Sequence, residues 1–386
     1  MVWWLWVGCR SPEVEPIPGS EVSFLEIWGS YNTDRVSTID LLDDGGAVVG
    51  LELASPARTD AVIKRLSADG IEAWELRWGR EFDEELHASQ ITSGKIRIAG
   101  GIWEQDITFA DTRTLLLDVD LQSGALSGNP TWEWNPTGAR DVVWALLASP
   151  QSGEGSIAVG ESGEDLLLVK LDRDGVPTDD VLFDGGEVER GLGAALAADA
   201  VIAVGQSTDE SDQEDHGDLW VAAFEAGDLS ERWSLEWGEA FQSEEIGNAV
   251  ASDGTTIVVV GADALGQGVI LGLDLQGALL WERLWDSGGR DSGRAVAFDP
   301  DGLAVVAMDA GTDLALLWID PTTGGIVEEI RWGGPEDETI TALAIDDDQL
   351  CIAGTITGGP DGAEQALAAC GPRDPLALPE APQEAP

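Results

Sequence analysis

Residues 28–79 read WGSYNTDRVSTIDLLDDGGAVVGLELASPARTDAVIKRLSADGIEAWELRWG, and this stretch carries the pattern of the whole chain. It begins and ends with Trp-Gly, and between these pairs lie four runs of strand length, rich in Val, Ile, Leu and Trp. Turns containing glycine and aspartate separate the runs, as in β-hairpins. The stretch shows no helical period of 3.6 residues, so the unit is predicted to be a four-stranded antiparallel sheet.

The same unit recurs along the chain of 386 residues. Trp-Gly or a near equivalent begins it at Trp28, Trp78, Trp134, Phe183, Trp237, Trp285 and Trp332, with spacings of 47 to 56 residues. An acidic residue follows six or seven positions later, at Asp34, Glu84, Asp141, Glu189, Glu244, Asp291 and Glu338. An apolar run that usually ends in Gly comes next, as in AVVG (47–50) and CIAG (351–354). Seven units of four strands predict an all-β fold, a seven-bladed β-propeller of antiparallel blades.

The two ends of the repeat predict how the ring closes. The last unit lacks its fourth strand, whereas the first unit is preceded by one run too many, SFLEIW at 23–28. Phe24 and Trp28 have the same four-residue spacing as Trp74 and Trp78 in the closing run of a complete unit. The N-terminal strand is therefore predicted to pair into the last blade, beside the segment that holds Cys370, which covers two sheet edges. A linear stack of sheets is the alternative, and it leaves one end uncapped.

The pattern resembles the bacterial SBBP-type (seven-bladed β-propeller) repeats, which share a Trp-Gly start, an acidic residue and a strand ending in Val-x-Gly. The resemblance covers about residues 21–372. Three features depart from it: Trp134-Asn135, Phe183-Asp184 and the loss of Gly at Ala307. The resemblance implies a structural or binding module on secreted and envelope proteins, and it implies no reaction.

The chain ends predict an extracytoplasmic protein, either anchored to a membrane by a lipid or secreted. Residues 1–9 look like the end of a lipoprotein signal segment with Cys9 as the lipidation site, although Trp6 stands where Leu is usual and no basic residue precedes it. An ordinary thiol at Cys9 is the alternative. Residues 10–20 are predicted to be a Pro-rich tether, 21–371 the propeller, and 372–386 a disordered Pro-rich tail.

Cys351 and Cys370 flank a predicted hairpin turn, so they would face each other on neighbouring strands. A disulfide between them is geometrically possible, and an oxidising compartment would permit it. Two ordinary core cysteines are the other interpretation.

The composition excludes several classes of protein. With 73 acidic and 20 basic residues the net charge is -53, and so negative a surface repels nucleic acid. No apolar run reaches the ~18 residues of a membrane-spanning helix. The chain has 2 histidines, which leaves little room for a histidine-based catalytic or zinc site.

The repeated acidic residues Asp34, Glu84, Asp141, Glu189, Glu244, Asp291 and Glu338 allow two interpretations. They could form a negative ring at one mouth of the channel and hold a cation, or each could accept backbone N–H bonds where the innermost strand begins. Asp-Gly turns such as DRDG (172–175) leave calcium open as a cofactor, although they are also ordinary hairpin turns. Asp215, His216 and Asp218 are a candidate metal set in an acidic loop, and a solvated loop is the alternative.

The chain has no GxSxG elbow, phosphate loop or dinucleotide fingerprint. We therefore expect a monomeric, non-catalytic binding or scaffolding module at the bacterial cell envelope, anchored through Cys9, without a cofactor and with a protein or glycan ligand. The alternative is a propeller enzyme, a hydrolase or lyase that acts on polysaccharide or a small ester at a channel mouth.

Overall fold

The computed structural model describes residues 24–29, 33–55, 58–79, 82–103, 112–127, 132–134, 141–150, 155–185, 188–208, 217–238, 244–358, 363–373 and 378. The strands in these ranges form seven four-stranded antiparallel sheets arranged as the blades of a propeller. The predicted fold is therefore confirmed. In blades 1 to 6 the chain runs from the innermost strand, next to the central channel, to the outer edge, and in blade 7 the N-terminal strand provides the outer edge.

The blades follow one another along the chain. Blade 1 contains β2 (Arg35–Leu41), β3 (Ala47–Ala54), β4 (Thr59–Leu66) and β5 (Glu72–Trp78); blade 2 contains β6 (Asp83–Thr92), β7 (Lys95–Trp103), β8 (Thr112–Asp120) and β9 (Trp132–Trp134). Blade 3 contains β10 (Asp141–Ala148), β11 (Ser156–Ser162), β12 (Asp165–Leu171) and β13 (Pro177–Phe183); blade 4 contains β14 (Val188–Ala197), β15 (Ala200–Thr208), β16 (Gly217–Glu225) and β17 (Glu231–Trp237). Blade 5 contains β18 (Ile246–Ser252), β19 (Thr256–Ala262), β20 (Gly268–Asp274) and β21 (Leu279–Trp285); blade 6 contains β22 (Asp291–Phe298), β23 (Ala304–Ala310), β24 (Asp313–Asp320) and β25 (Gly325–Trp332). Blade 7 contains β26 (Glu338–Ile345), β27 (Gln349–Thr357), β28 (Glu364–Pro372) and β1 (Phe24–Trp28).

The N-terminal strand completes the last blade. In blade 7 the strand order is β26-β27-β28-β1, and the register of the outer pair runs from Phe24↔Cys370 to Trp28↔Ala366. The predicted closure is thus confirmed. Both ends of the propeller contribute to one sheet, which leaves no open gap between the first and the last blade.

The hydrophobic core is divided among the interfaces between blades. Each of its seven clusters of buried residues joins one pair of neighbouring blades. The second strands, such as β11, are buried on both faces because each packs against two neighbouring sheets. This explains why the second run of each repeat is almost continuously apolar rather than alternating.

The repeated tryptophans of the outer strands connect one blade to the next. Trp74 donates its indole N–H to the carbonyl of Leu121 at 2.9 Å, and Trp233 and Trp281 make the same bond to Leu275 and Pro321. Each ring lies on a glycine of positive φ in the neighbouring blade's turn, namely Gly124, Gly277 and Gly324. A side chain there would overlap the indole, so the Trp and Gly of the repeat are needed together.

Cys351 and Cys370 stand opposite each other on β27 and β28. They form a disulfide with Cα atoms 4.1 Å apart, and both residues are fully buried. The bond lies in the blade that closes the ring.

The predicted signal segment, Cys9 and the tether lie outside the described residues. Of the predicted disordered tail, Pro372 is the last residue of β28, and Arg373 donates to a carboxylate oxygen of Asp301 at 2.6 Å. Leu378 packs against the core between blades 6 and 7. In the ranges that the structure describes, no helix is long and apolar enough to cross a membrane.

Candidate functional site

Each innermost strand of the propeller contains one extra residue. Between each innermost strand and its neighbour the register shifts once, so that one residue has no partner across the pair, which is a β-bulge. The seven unpaired residues, taken in the order of blades 1 to 7, are Ser37, His87, Trp144, Leu192, Asn248, Arg294 and Thr341. We call them the bulge residues.

A glycine on the second strand accommodates the bulge in five blades. Gly100, Gly160, Gly205, Gly261 and Gly354 stand opposite the residue that precedes the bulge. A Cβ atom at any of them would lie 1.7–1.9 Å from a carbonyl oxygen of the innermost strand. In these five blades the glycine that ends the apolar run is therefore required by the close approach of two backbones.

The bulge residues line a single cavity of about 500 Å³ in the central channel. All seven contribute to its wall, together with Arg35, Glu85, Thr339, Thr355 and Glu364. Most of these positions lie near the start of the innermost strands, so the cavity lies toward that end of the propeller. Its volume falls in the range of about 300–1,000 Å³ that is typical of sites for small molecules.

The ring of bulge residues has a polar side and an apolar side. Blades 5, 6, 7 and 1 provide Asn248, Arg294, Thr341 and Ser37, whereas blades 2, 3 and 4 provide His87, Trp144 and Leu192. The rings of His87 and Trp144 are stacked, with their centroids 4.0 Å apart. A ligand in this cavity thus meets hydrogen-bonding groups on one side and rings or an alkyl group on the other.

Arg294 is held in place by a buried acid. Its Nε donates to Asp309 Oδ2 at 2.6 Å, and Asp309 Oδ1 accepts the N–H of Ile340 in the next blade at 2.9 Å. Among the described residues the two terminal nitrogens of this guanidinium have no hydrogen-bond partner. Arg294 therefore presents oriented N–H donors to the cavity.

Arg35 is oriented in the same way. Its Nη2 lies 2.8 Å from Glu52 Oε2, and Glu52 Oε1 accepts the N–H of Leu86 in the next blade at 3.0 Å. Burial lowers the pKa of Arg35, but Glu52, Glu85 and Glu364 outweigh that effect and hold the pKa above its ordinary value. Three carboxylates thus act on one guanidinium, and this part of the cavity is negatively charged.

His87 lies next to a carboxylate of its own strand. Its Nε2 is 3.6 Å from Glu85 Oε2, and its side chain is almost entirely buried while that of Glu85 is one-third exposed. The distance is too long for a direct hydrogen bond. The pair nevertheless places an imidazole and a carboxylate, two groups that transfer protons, at the wall of the cavity.

The predicted acidic ring lies behind the cavity wall. Asp34, Glu84, Asp141, Glu189, Asp291 and Glu338 are buried, and none of them is among the described residues that line the cavity. Asp34 Oδ1 accepts the N–H of Ala54 at 2.7 Å, Asp291 accepts that of Ser287 at 2.6 Å and Glu338 that of Gly334 at 3.0 Å. These bonds are the backbone-accepting role that the sequence also allowed.

The fifth position of this acidic ring is Glu245, not Glu244. Glu244 is exposed, whereas Glu245 is buried and its N–H donates to the carbonyl of Gly217 at 2.8 Å. The backbone N–H groups of Asp34 and Glu338 make the equivalent bond to the preceding blade. The two glutamates are adjacent in sequence, and only the register of β18 distinguishes them.

Sequence reasoning missed the bulge residues, although a signal for them exists. Each one lies three residues after the buried acid of its blade, as Ser37 follows Asp34 and Asn248 follows Glu245. The residue types at this position differ from blade to blade, so no common chemistry reveals it.

The candidate metal sites of the sequence are only partly described. Asp215 and His216 lie outside the described residues, and Asp218 is half-buried in β16. In the described part of the chain no group of three or more His, Cys, Asp or Glu side chains is arranged to hold a metal ion. In the turn at 172–175, Asp172 Oδ1 accepts the N–H groups of Asp174 and Val176 at 2.9 Å, as in an ordinary Asx turn.

No family model and no curated protein match the chain. Solved propellers do match it in fold. The Dos1 propeller is 11% identical with a TM-score of 0.51, and the match covers 86% of this chain and 77% of that one. A catalytically inactive histidine-to-alanine variant of virginiamycin B lyase from Staphylococcus aureus, with quinupristin, is 11% identical with a TM-score of 0.55, covering 90% and 99%. At this identity the comparisons show the fold alone, and the likeness to SBBP-type repeats stays a prediction.

Proposed function

We propose that the protein is a binding module whose ligand site is the cavity in the central channel. The observation that carries this proposal is that the bulge residues of all seven blades line one cavity of about 500 Å³. Their backbones are structurally equivalent while their side chains all differ, as in a rigid scaffold that presents a specific site. The proposal keeps the binding role expected from the sequence and assigns it to a small molecule.

The proposal also keeps the expected location. A lipid on Cys9 would hold the propeller at the envelope through the Pro-rich segment 10–20, because acyl chains contribute about 0.8 kcal/mol for each buried methylene. Replacement of Cys9 with serine is expected to release the protein from the membrane fraction. Unchanged fractionation would remove the anchor from the proposal but leave the channel site in place.

A fragment screen by thermal shift tests the channel site. The protein is used as the full chain with Cys9→Ser, beside two variants that each replace a leucine with tryptophan. Leu192→Trp fills the cavity from blade 4, and Leu280→Trp is the matched control because Leu280 is exposed on the outer strand of blade 5. Fragments that stabilise the parent are expected to stabilise Leu280→Trp equally and to lose their effect on Leu192→Trp. Equal stabilisation of both variants would contradict the proposal.

A second candidate function is catalysis in the same cavity, favoured by the pair of His87 and Glu85. With its Nε2 3.6 Å from Glu85 Oε2, His87 would act together with this partly exposed carboxylate in moving a proton from a bound substrate. The propeller enzyme of similar fold is described as inactive when one histidine is replaced by alanine. Turnover of a generic small ester or a polysaccharide that His87→Ala abolishes, without loss of binding, would establish this alternative. Turnover that persists in His87→Ala would exclude it for this residue.

A further inference from the structure

We propose that the ligand is a free α-amino acid with a large apolar side chain, bound as the zwitterion. This inference rests on the channel site proposed above and specifies its chemistry. The wall of the cavity presents three kinds of groups, and each matches one part of such a molecule. The carboxylate binds Arg294, the ammonium group lies by Glu85 and Glu364, and the side chain packs against Trp144 and Leu192.

The carboxylate is assigned to Arg294. This guanidinium is fixed through Nε by Asp309, and its two terminal nitrogens have no partner among the described residues. Two parallel N–H donors of one guanidinium match the two oxygens of a carboxylate, which is the strongest common geometry for this pair. Its side chain is 43% exposed, so the donors can be reached from the cavity.

The ammonium group is assigned to the side of the cavity around Arg35. Glu52 already binds this guanidinium through two oxygens, at 3.1 and 2.8 Å. Glu85 and Glu364 line the cavity beside it and also act on its charge. Because three carboxylates meet one guanidinium, this side favours a cationic group and repels a second anion.

The apolar side chain is assigned to the arc of the ring formed by blades 3 and 4. Trp144 and Leu192 come from neighbouring blades, and His87 stacks on Trp144 with ring centroids 4.0 Å apart. An aromatic or long aliphatic side chain would cover these surfaces and remove them from water. A small side chain would leave them exposed.

The charge of the whole protein favours a zwitterion over an anion. A chain with a net charge of -53 repels a purely anionic ligand, whereas a zwitterion has no net charge. A purely cationic ligand would leave the donors of Arg294 without an acceptor in a partly desolvated site, which costs free energy.

Isothermal titration with four compounds tests the assignment on the unaltered site. L-phenylalanine is the complete probe, phenethylamine lacks the carboxylate, 3-phenylpropionate lacks the ammonium group and glycine lacks the ring. Loss of one charged contact is expected to weaken binding about tenfold or more. L-phenylalanine is therefore expected to bind at least about tenfold more tightly than any of the other three compounds. Since this series uses one folded protein, it does not depend on the folding of any variant.

Two charge-removing variants then connect each group of the probe to its residue. Arg294→Gln is expected to weaken the binding of L-phenylalanine and of 3-phenylpropionate but not the binding of phenethylamine. Glu85→Gln is expected to weaken the binding of L-phenylalanine and of phenethylamine but not the binding of 3-phenylpropionate. Arg77→Gln is the matched control, because Arg77 is exposed on the outer strand of blade 1, and it is expected to change none of these affinities.

The outcomes separate this inference from the function on which it rests. If 3-phenylpropionate or phenethylamine binds as tightly as L-phenylalanine, or if none of the four compounds binds, the assignment of a zwitterionic ligand is wrong. The channel site still stands in that case if screened fragments lose their effect on Leu192→Trp. If L-phenylalanine binds equally to the parent and to Leu192→Trp, both the inference and the channel site are wrong.

Discussion

At the scale of single residues, the acid near the start of each innermost strand is buried, and those of blades 1, 3, 6 and 7 accept hydrogen bonds. Glu338 shows the consequence most clearly. Burial raises its pKa to about 7, although the N–H of Gly334 acts in the opposite direction. The neighbouring carboxylates of Asp313, Asp337 and Glu336 raise it further. This site tolerates a neutral group better than an ionised one.

Glu338→Gln is therefore expected to change how stability depends on pH. The folded protein holds the proton of Glu338 more tightly than the unfolded chain, so stability from this residue decreases as the pH rises from its ordinary value of 4.5 to about 7. The glutamine variant lacks this loss and should gain about 1–3 kcal/mol relative to the parent between pH 4 and pH 8. Urea unfolding at both pH values measures the difference. A constant difference between the two proteins would contradict the expected ionisation.

At the scale of elements, the bulge in each innermost strand is the feature that forms the proposed binding site. It places one residue of each innermost strand in the channel without a partner across the sheet. The close approach at the bulge explains why the second run ends in Gly in blades 2, 3, 4, 5 and 7. In blades 1 and 6 that position holds Leu51 and Met308, and the acids that orient the two cavity arginines, Glu52 and Asp309, come directly after them.

Adjacent glycines in β7 provide a matched test of this explanation. A Cβ atom on Gly100 would lie 1.9 Å from the carbonyl oxygen of Glu85, whereas one on Gly101 finds its nearest neighbour at 3.4 Å. Gly100→Ala is expected to destabilise the protein by about 2 kcal/mol or more, and Gly101→Ala by less than about 1 kcal/mol. Guanidinium unfolding compares the two. Similar losses in both variants would show that the bulge does not need the glycine.

The strands and the channel wall differ in how well the sequence predicts them. The strands, the blade count and the pairing of β1 with β28 could be predicted because each blade repeats one solution, with Trp, Gly and an acid at fixed places. The three-residue offset from the acid gives the positions of the wall residues, but their role in a common cavity could not be predicted, because Ser37, Trp144 and Arg294 share no chemistry. Choosing Glu244 instead of Glu245 shifts the register of blade 5 by one residue, and Asn248 is then no longer recognised as a wall residue.

At the scale of the whole molecule, two features govern stability: closure through blade 7 and the large negative charge. The first is local, since β1 pairs with β28, next to Cys370, and Phe24 packs against core residues of blade 1. The second acts over the entire surface, because 73 acidic residues face 20 basic ones. Repulsion among surface charges weakens the compact state and is reduced by salt.

Removal of the disulfide tests how much the crosslink between β27 and β28 stabilises the blade that closes the ring. Replacing Cys351 and Cys370 together with alanine opens a crosslink between residues 19 positions apart and leaves the strand pairing intact. The loss is expected to be about 2–4 kcal/mol. Denaturant unfolding measures it, with the oxidised parent as the reference. No change in stability would contradict the expected contribution of this crosslink.

The dependence of the melting temperature on salt tests the effect of the negative charge on stability. Raising NaCl from about 0.1 M to about 1 M shortens the screening length from about 10 Å to about 3 Å, and the melting temperature is expected to rise. Calcium chloride at equal ionic strength is expected to give the same melting temperature. Extra stabilisation at millimolar calcium would reveal a specific calcium site, since only binding to the folded state gives such an effect.

The most direct test of the channel site is an electron-density map of crystals soaked in L-phenylalanine. The account predicts density for the compound inside the ring of bulge residues, with its carboxylate on the terminal nitrogens of Arg294 and its ring against Trp144. Density for another soaked fragment in the same cavity would support the binding site but not the proposal that its ligand is an amino acid. Density only on the outer faces of the blades, with the channel filled by water alone, would contradict the account.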